Sequence, residues 1–384
     1  MNEERKLATI RKIRDIKPIE GADRISLAFV DGWQVVIEKG VFNIGDFIVY
    51  LEIDCRVPKD NPNFAFLEKR DFKIKSIKLK QTLSQGIIFP LSILPKKKWQ
   101  EGDDVTKILN ITKIEQDYKP DTPNDIKRLH SMHKRLMSFK IVKYMMRYEW
   151  FRKMMVKLFV SQKKKSGFPR YVPKTDESRC QNILDSLNQW KDYSFIVREK
   201  LDGSSGTYVL KRIGKNKYDY IVCSRNLAVG GNYFNKKANL YYDSNIYTEM
   251  SEKYDIENKL RMIIGENDWV AIQGEIIGEK IQGNKYGIQG RDLYLFNFIT
   301  EMHGKHSCLF AEDYLKQHGF KWCPLLETDY KLPENGVEGL LCEADGMSIL
   351  KHDTLREGIV VRNYEHNISF KVISNEFLLK YDSK

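Results

Sequence analysis

Lys200-Leu201-Asp202-Gly203 places an amine, a carboxylate and a backbone without a side chain within four residues. Such a set suits nucleotidyl transfer. A lysine amine attacks the α-phosphate of a nucleoside triphosphate, pyrophosphate departs, and the nucleotide remains on nitrogen as a phosphoramidate. The amine must be neutral to attack. A free lysine titrates near ~10.4, so on the order of one in a thousand is unprotonated at neutral pH. The site is therefore expected to lower that pKa with nearby cations and metal-bound phosphates. Asp202 offers a hard oxygen that can hold water on a divalent ion. Gly203 lets the chain turn closely beneath a nucleotide. A KxDG tetrapeptide recurs by chance in a lysine-rich chain, so its company decides.

That company follows in order: Ser224-Arg225-Asn226, Gly274-Glu275, Tyr294-Leu295-Phe296-Asn297, Glu357-Gly358-Ile359-Val360-Val361 and Ser369-Phe370-Lys371. Singly, each reads as well as scaffold: a strand-end carboxylate, a surface ion pair, a core phenylalanine, a solvated lysine. Jointly, with KxDG, they resemble the motif series of the covalent nucleotidyltransferases, which are the ATP-dependent DNA ligases, RNA ligases and mRNA capping enzymes. The resemblance implies Lys200 as nucleophile, Arg225 on the ribose and the substrate phosphate, and Glu275 on the ribose hydroxyl. It implies Phe296 stacked on the base, Glu357 at the metal and Lys371 on the α-phosphate. Glu199 is implied at the adenine amino group, and Leu201 and Gly203 complete the cradle. Asp202 and Glu357 are the implied metal carboxylates. ATP with Mg2+ or Mn2+ is the implied cofactor set, and these carboxylates and cations suit a metal-bound triphosphate.

The elements that must position these residues fall into three stretches. Residues 1–112 hold short β-branched and aromatic runs: Leu27–Val30, Trp33–Ile37, Phe47–Ile53, Phe72–Leu79 and Gly86–Pro90. Turn signals at Asp31-Gly32, Gly45-Asp46 and Asn61-Pro62 separate them, which predicts a small OB-like barrel. Along Phe72–Leu79, Lys73 and Lys75 share one face that could meet a phosphate backbone or simply face water. Residues 113–175 read as a basic helical insert and linker. Val142, Met146, Trp150, Met154 and Leu158 recur every four residues and predict a helix across Asp125–Val160. Residues 176–384 mix α and β. A helix is expected near Arg179–Trp190, with strands near Phe195–Lys200, Thr207–Arg212, Tyr218–Ser224, Trp269–Ile277, Leu293–Ile299, Gly358–Arg362 and Ile368–Ile373. The expected class is a multidomain α+β protein: barrel, insert, then a nucleotidyltransferase domain of antiparallel sheets with flanking helices.

That order narrows the resemblance. DNA ligases and capping enzymes carry an OB domain after the catalytic domain, whereas 13 residues follow Lys371 here and the barrel is expected first. This order, with Pro18–Arg24, Val30–Val36 and Pro173–Asn182, is similar to RNA ligases of the Naegleria and Deinococcus type, apart from the basic insert. The resemblance implies Arg179 on the terminal phosphates. It also implies three steps: a lysyl-AMP on Lys200, transfer of AMP to an RNA 5′-phosphate, and attack by a 3′-hydroxyl. One departure is Ser369, which stands where the last motif often has a first lysine. The rival readings are a DNA ligase and a catalytically silent nucleic-acid-binding protein on the same scaffold. A nick panel and an adduct assay separate them.

Charge supports a polyphosphate partner. The formal net charge is +12, and residues 127–170 hold 14 Lys and Arg against Glu149 alone, leaving the remainder at −1. A basic segment with Phe139, Tyr144, Tyr148, Trp150 and Phe151 suits nucleic acid, either single RNA ends or a nicked duplex; the plain alternative is a solvated helix face. No apolar run is long enough to span a membrane. Six scattered cysteines without a CxxC pair suit free thiols and a reducing cytoplasm. A monomer is expected. His130/His133 and His303/His306 have metal-like spacing but no matching Cys or carboxylate, so surface histidines are expected.

Overall fold

The computed structural model describes residues 5–114, 138–159, 167–231 and 245–382. Ile25–Val30 alternates half-buried and buried residues, the period-two mark of a strand with one face on a core. It pairs antiparallel with Asp15–Pro18 and with Trp33–Glu38. At the tip, Asp31 and Gly32 both take positive φ, 48° and 79°, the primed geometry a two-residue hairpin requires. A second sheet joins Ala8–Lys12, Phe47–Leu51 and Ile87–Pro90. Ile10, Trp33, Tyr50, Leu51 and Phe64 are fully buried among these strands.

The strand expected over Phe72–Leu79 is two pieces. Lys73–Ile74 pairs with Cys55–Arg56, while Ile77–Leu79 forms a hairpin with Thr82–Ser84. The alternation is interrupted between them, so its lysines do not line one continuous strand face. Thr112–Lys113 returns to pair with Cys55–Arg56.

Of the helix expected across Asp125–Val160, residues 138–159 are described. Two helices, Lys140–Met145 and Glu149–Phe159, replace one continuous helix. Three-residue hydrogen bonds from Arg147 and Tyr148 close the first. The four-residue stripe is not the buried face: Trp150 and Met154 are exposed and Met155 is buried. A four-residue step overshoots a full helical turn by about 40°, and the break between the helices resets the phase. The first part of the expected helix, with His130 and His133, lies outside the described residues.

The C-terminal part is built on two sheets. A seven-stranded sheet runs in the order Ala228–Gly231, Lys217–Cys223, Ser204–Gly214, Trp269–Gly278, Arg291–Thr300 and Gly304–Lys305, with Lys321–Trp322 added parallel to Arg291–Thr300. A five-stranded sheet runs Ser178–Arg179, Ile368–Ile373, Gly358–Asn363, Phe195–Lys200 and Leu325–Tyr330. Helices Ile246–Lys253, Ile256–Ile263 and Cys308–Lys316 bury Met250, Leu260, Ala311 and Leu315 in the core of the larger sheet. Val337–Ala344 buries Leu340 in the core of the smaller one. The helix expected near Arg179–Trp190 shortens to Leu184–Gln189 behind a 3-10 turn at Cys180–Asn182.

The barrel docks on this domain. Asn182 Nδ2 donates to the buried Glu52 Oε2 at 3.3 Å, and Gln85 Nε2 donates to Asn375 Oδ1 at 3.2 Å. A side chain at Gly32 would meet Val337 at 2.2 Å, so the same glycine that makes the hairpin turn also permits the docking. All six cysteines are free, five of them buried. Among the described residues no helix is long and apolar enough to cross a membrane.

Candidate active site

The KLDG segment is the crossover between the two sheets. Phe195–Lys200 ends in the smaller sheet and Ser204 begins a strand of the larger one. Leu201 anchors the crossing in the main core. Gly203 passes so close to the neighbouring strand that a Cβ would meet the Ile276 carbonyl oxygen at 2.3 Å. Both sheets can thus contribute side chains around one amine. From the smaller sheet come Glu357, Lys371 and Arg179; from the larger come Arg225 and Glu275.

Lys200 lies opposite Gly358 in the register, which brings Glu357 alongside. The Lys200 Nζ donates to Glu357 Oε2 at 2.6 Å. Burial alone would lower the lysine pKa, but Glu357, Glu275 and Asp202 outweigh it and hold the ammonium above its ordinary range. The expectation of a lowered pKa therefore fails for the protein on its own. The amine starts as a cation held by carboxylates.

Burial pushes Glu275 up to about 8, against the pull of Lys200. Burial raises Glu357 too, while Lys200 opposes the shift; the close ion pair favours the charged form of both partners. Lys371 lies in the register next to Arg179 and Val360. Burial, with Lys200 and Arg179 as like charges, lowers it to about 7. Arg225 follows Lys217–Cys223 and pairs with Asp176.

Among the described residues, the buried polar atoms without a protein partner include one on Glu199 and one on Arg179. One Glu199 oxygen accepts the Ile349 N–H at 2.8 Å while its other oxygen, Oε1, is unmatched. Burial raises the Glu199 pKa. Arg179 rests over the Trp33 ring of the barrel at 5.8 Å, and its Nη1 is buried and unmatched. Free acceptor and donor atoms of this kind suit a polar ligand.

Phe296 sits at an irregularity. Gln273 pairs with Asn297 and Gly274 with Leu295, so Phe296 is the extra residue of a bulge. Bulges re-aim side chains, and Phe296 is half-buried. Arg362, buried in the smaller sheet, ties the bulge down by donating to Phe296 O at 2.7 Å and Asn297 Oδ1 at 2.9 Å. It also donates to Glu177 at 3.0 Å and to the Ser369 hydroxyl at 3.2 Å. A buried arginine thus pairs across from Ser369, where the resemblance led to a lysine.

Sequence reasoning missed Lys285, Tyr286, Asp176 and Arg362. No spacing marks them, because their partners come from distant elements. His306 bonds Thr300 Oγ1 at 2.9 Å and stacks on Phe298. Among the described residues, no three His, Cys, Asp or Glu side chains converge as a ready-made metal cage. Asp202, Glu275 and Glu357 surround Lys200 electrostatically, a hard-oxygen set suited to an ion that also takes phosphate oxygens.

A barrel ahead of a two-sheet domain with a lysine at the crossover defines an OB-plus-ligase architecture. An OB-fold domain model matches residues 7–91, and an RNA ligase model matches residues 193–381. The fold is similar to Naegleria gruberi RNA ligase. A mutant without ligand has a TM-score of 0.70 and 30% identity, covering 98% of this chain and 98% of that one. The form with PPi has a TM-score of 0.70 and 31% identity, covering 98% and 99%. A mutant with ATP and Mn has a TM-score of 0.71 and 30% identity, covering 99% and 100%. No curated protein matches the chain. This chain belongs to the RNA ligase family.

Proposed function

We propose that this protein is an ATP-dependent RNA ligase that works through a lysyl-AMP on Lys200. The observation that carries the reading is the convergence of both sheets on that amine: Glu357 at 2.6 Å, with Asp202 and Glu275 around it and Lys371 and Arg179 as neighbouring cations. The ATP and Mn held by the Naegleria relative support the cofactor assignment.

Lys200 gives up the Glu357 pair and releases a proton to solvent, then its nitrogen bonds the α-phosphorus while the bond to pyrophosphate breaks and pyrophosphate leaves. Lys371 and Arg179 offset the charge of the triphosphate and disfavour a second ammonium. The unmatched Arg179 nitrogen suits the terminal phosphates. The unmatched Glu199 oxygen suits the adenine amino group, Glu275 the ribose and Phe296 the base. A divalent ion, Mg2+ or Mn2+, held by Asp202 and Glu357, would supply charge neutralisation. AMP then passes to an RNA 5′-phosphate, and a 3′-hydroxyl displaces it to seal the strand, a reaction suited to RNA repair.

The test uses α-labelled ATP with magnesium, denaturing gels, and a chase with nicks carrying RNA or DNA at the 3′-hydroxyl. Wild type should carry a covalent label that Lys200→Ala lacks, and RNA nicks should discharge it. Glu357→Ala and Lys371→Ala should lower labelling while keeping the fold. Full labelling of Lys200→Ala overturns the mechanism; discharge only by DNA nicks overturns the RNA assignment.

A further inference from the structure

Segment 282–286 grips the nucleophile loop at three atoms. Lys285 Nζ donates to Asp202 Oδ2 at 2.5 Å. The Tyr286 hydroxyl accepts the Asp202 N–H at 2.8 Å. Gln282 Nε2 reaches the Gly203 carbonyl at 3.5 Å. Lys285 is itself held. Its ammonium donates to Gln282 O at 2.7 Å and lies 5.4 Å from the ring centres of both Phe377 and Tyr381. Those rings sit 4.9 Å apart, tilted by 56°.

The aromatic pair belongs to the C-terminal turn, which is fixed on its other side. Asn375 accepts from Gln85 of the barrel, and Leu378 packs with Leu83 of the barrel and with Ile373. A chain of contacts therefore runs from the barrel hairpin through the C-terminal turn and Lys285 to Asp202, two residues from the nucleophile.

The Lys285 and Asp202 side chains are only 15% and 16% exposed, so solvent screens their attraction weakly. Asp202 has another cation within electrostatic reach, Lys200 itself. Were Asp202 to close on Lys200, the nucleophile would be held as a cation by a second carboxylate. Lys285 occupies one Asp202 oxygen and so competes with that pairing.

We propose that Lys285, clamped by Phe377 and Tyr381, is a positioning residue for adenylation: it holds one oxygen of Asp202, keeps that carboxylate off Lys200 and leaves the other oxygen for the reaction. This rests on the lysyl-AMP reading above. Through the same contacts the C-terminal turn and the barrel bear on the first chemical step.

The test measures single-turnover adduct formation against magnesium concentration for wild type, Lys285→Met, Lys285→Arg and the Phe377→Leu/Tyr381→Leu double variant, with thermal melting of each. Lys285→Met should lower the rate at saturating ATP and magnesium by roughly 10–100-fold. It should also shift the magnesium midpoint to lower concentration, because a cation competing for Asp202 is gone. Lys285→Arg should restore most of the rate, and the aromatic double variant should move rate and midpoint in the same directions by less. A merely structural lysine would lower the melting temperature without moving the midpoint. That result, or a Lys285→Met profile matching wild type, overturns the role of Lys285. Absence of any adduct in the wild-type arm instead removes the lysyl-AMP reading on which it stands.

Discussion

Lys200 rests as an ammonium because three carboxylates outweigh its burial, and its neighbour Lys371 shows the opposite balance. Lys371 has like charges around it and is drawn down to about 7. Contact with phosphate favours its charged form. Above about 7 the free lysine is mostly neutral, so nucleotide binding there must take up a proton, and affinity should fall as pH rises. Below that pH the lysine is already charged and uptake should vanish. Titration calorimetry at pH 8 in buffers of different ionisation enthalpy should show the uptake in wild type and lose it in Lys371→Arg; equal uptake in both would sink the assignment. At this scale the sequence was informative about types and poor about partners. Lys200, Glu275, Glu357 and Lys371 stand in ordered motifs. Lys285 and Arg362 do not, since each takes a defining partner from more than fifty positions away in the chain, Asp202 for the first and Phe296 for the second.

Among the elements, two irregularities stand out: the crossover at KLDG and the bulge at Phe296. The crossover depends on Gly203, whose close approach to the Ile276 carbonyl leaves no room for a methyl group. Gly203→Ala should displace the loop and cut adduct formation by at least about 10-fold, with circular dichroism unchanged; wild-type labelling would show the loop tolerates the shift. Strands such as Phe195–Lys200 and Ile368–Ile373 were legible because β-branched and aromatic residues run together in the first and alternate with polar ones in the second. The bulge was not legible, because the slip arises from pairing with Gln273-Gly274 rather than from its own residues. The basic helix misled in another way: its apolar row had the right kind of residue but a four-residue period, which winds off the buried face. The short helix Ile246–Lys253 carried no strong periodicity, and a cap on Asn245 supplies its start.

Over the whole molecule, domain order was readable and the docking of the barrel was not. Glu52, Trp33, Gln85 and Leu83 looked like residues of an isolated barrel, yet each touches the ligase domain. Leu83 is 2% exposed and packs against Ile373 and Leu378 across the seam. Leu83→Ala should therefore cost about 2 kcal/mol, the low end for a buried leucine because a small satellite cluster can relax. Denaturant melts should show that loss together with weaker adduct formation; loss of stability alone would mean the barrel contributes nothing to the first step.

Three residues, Leu201, Asp202 and Gly203, bridge the two layers between Lys200 and Ser204. Their length sets a short leash. The layers cannot drift apart without pulling on the Lys200 end of that bridge. On the lysyl-AMP reading, a ligand that parted the layers would therefore also shift the amine.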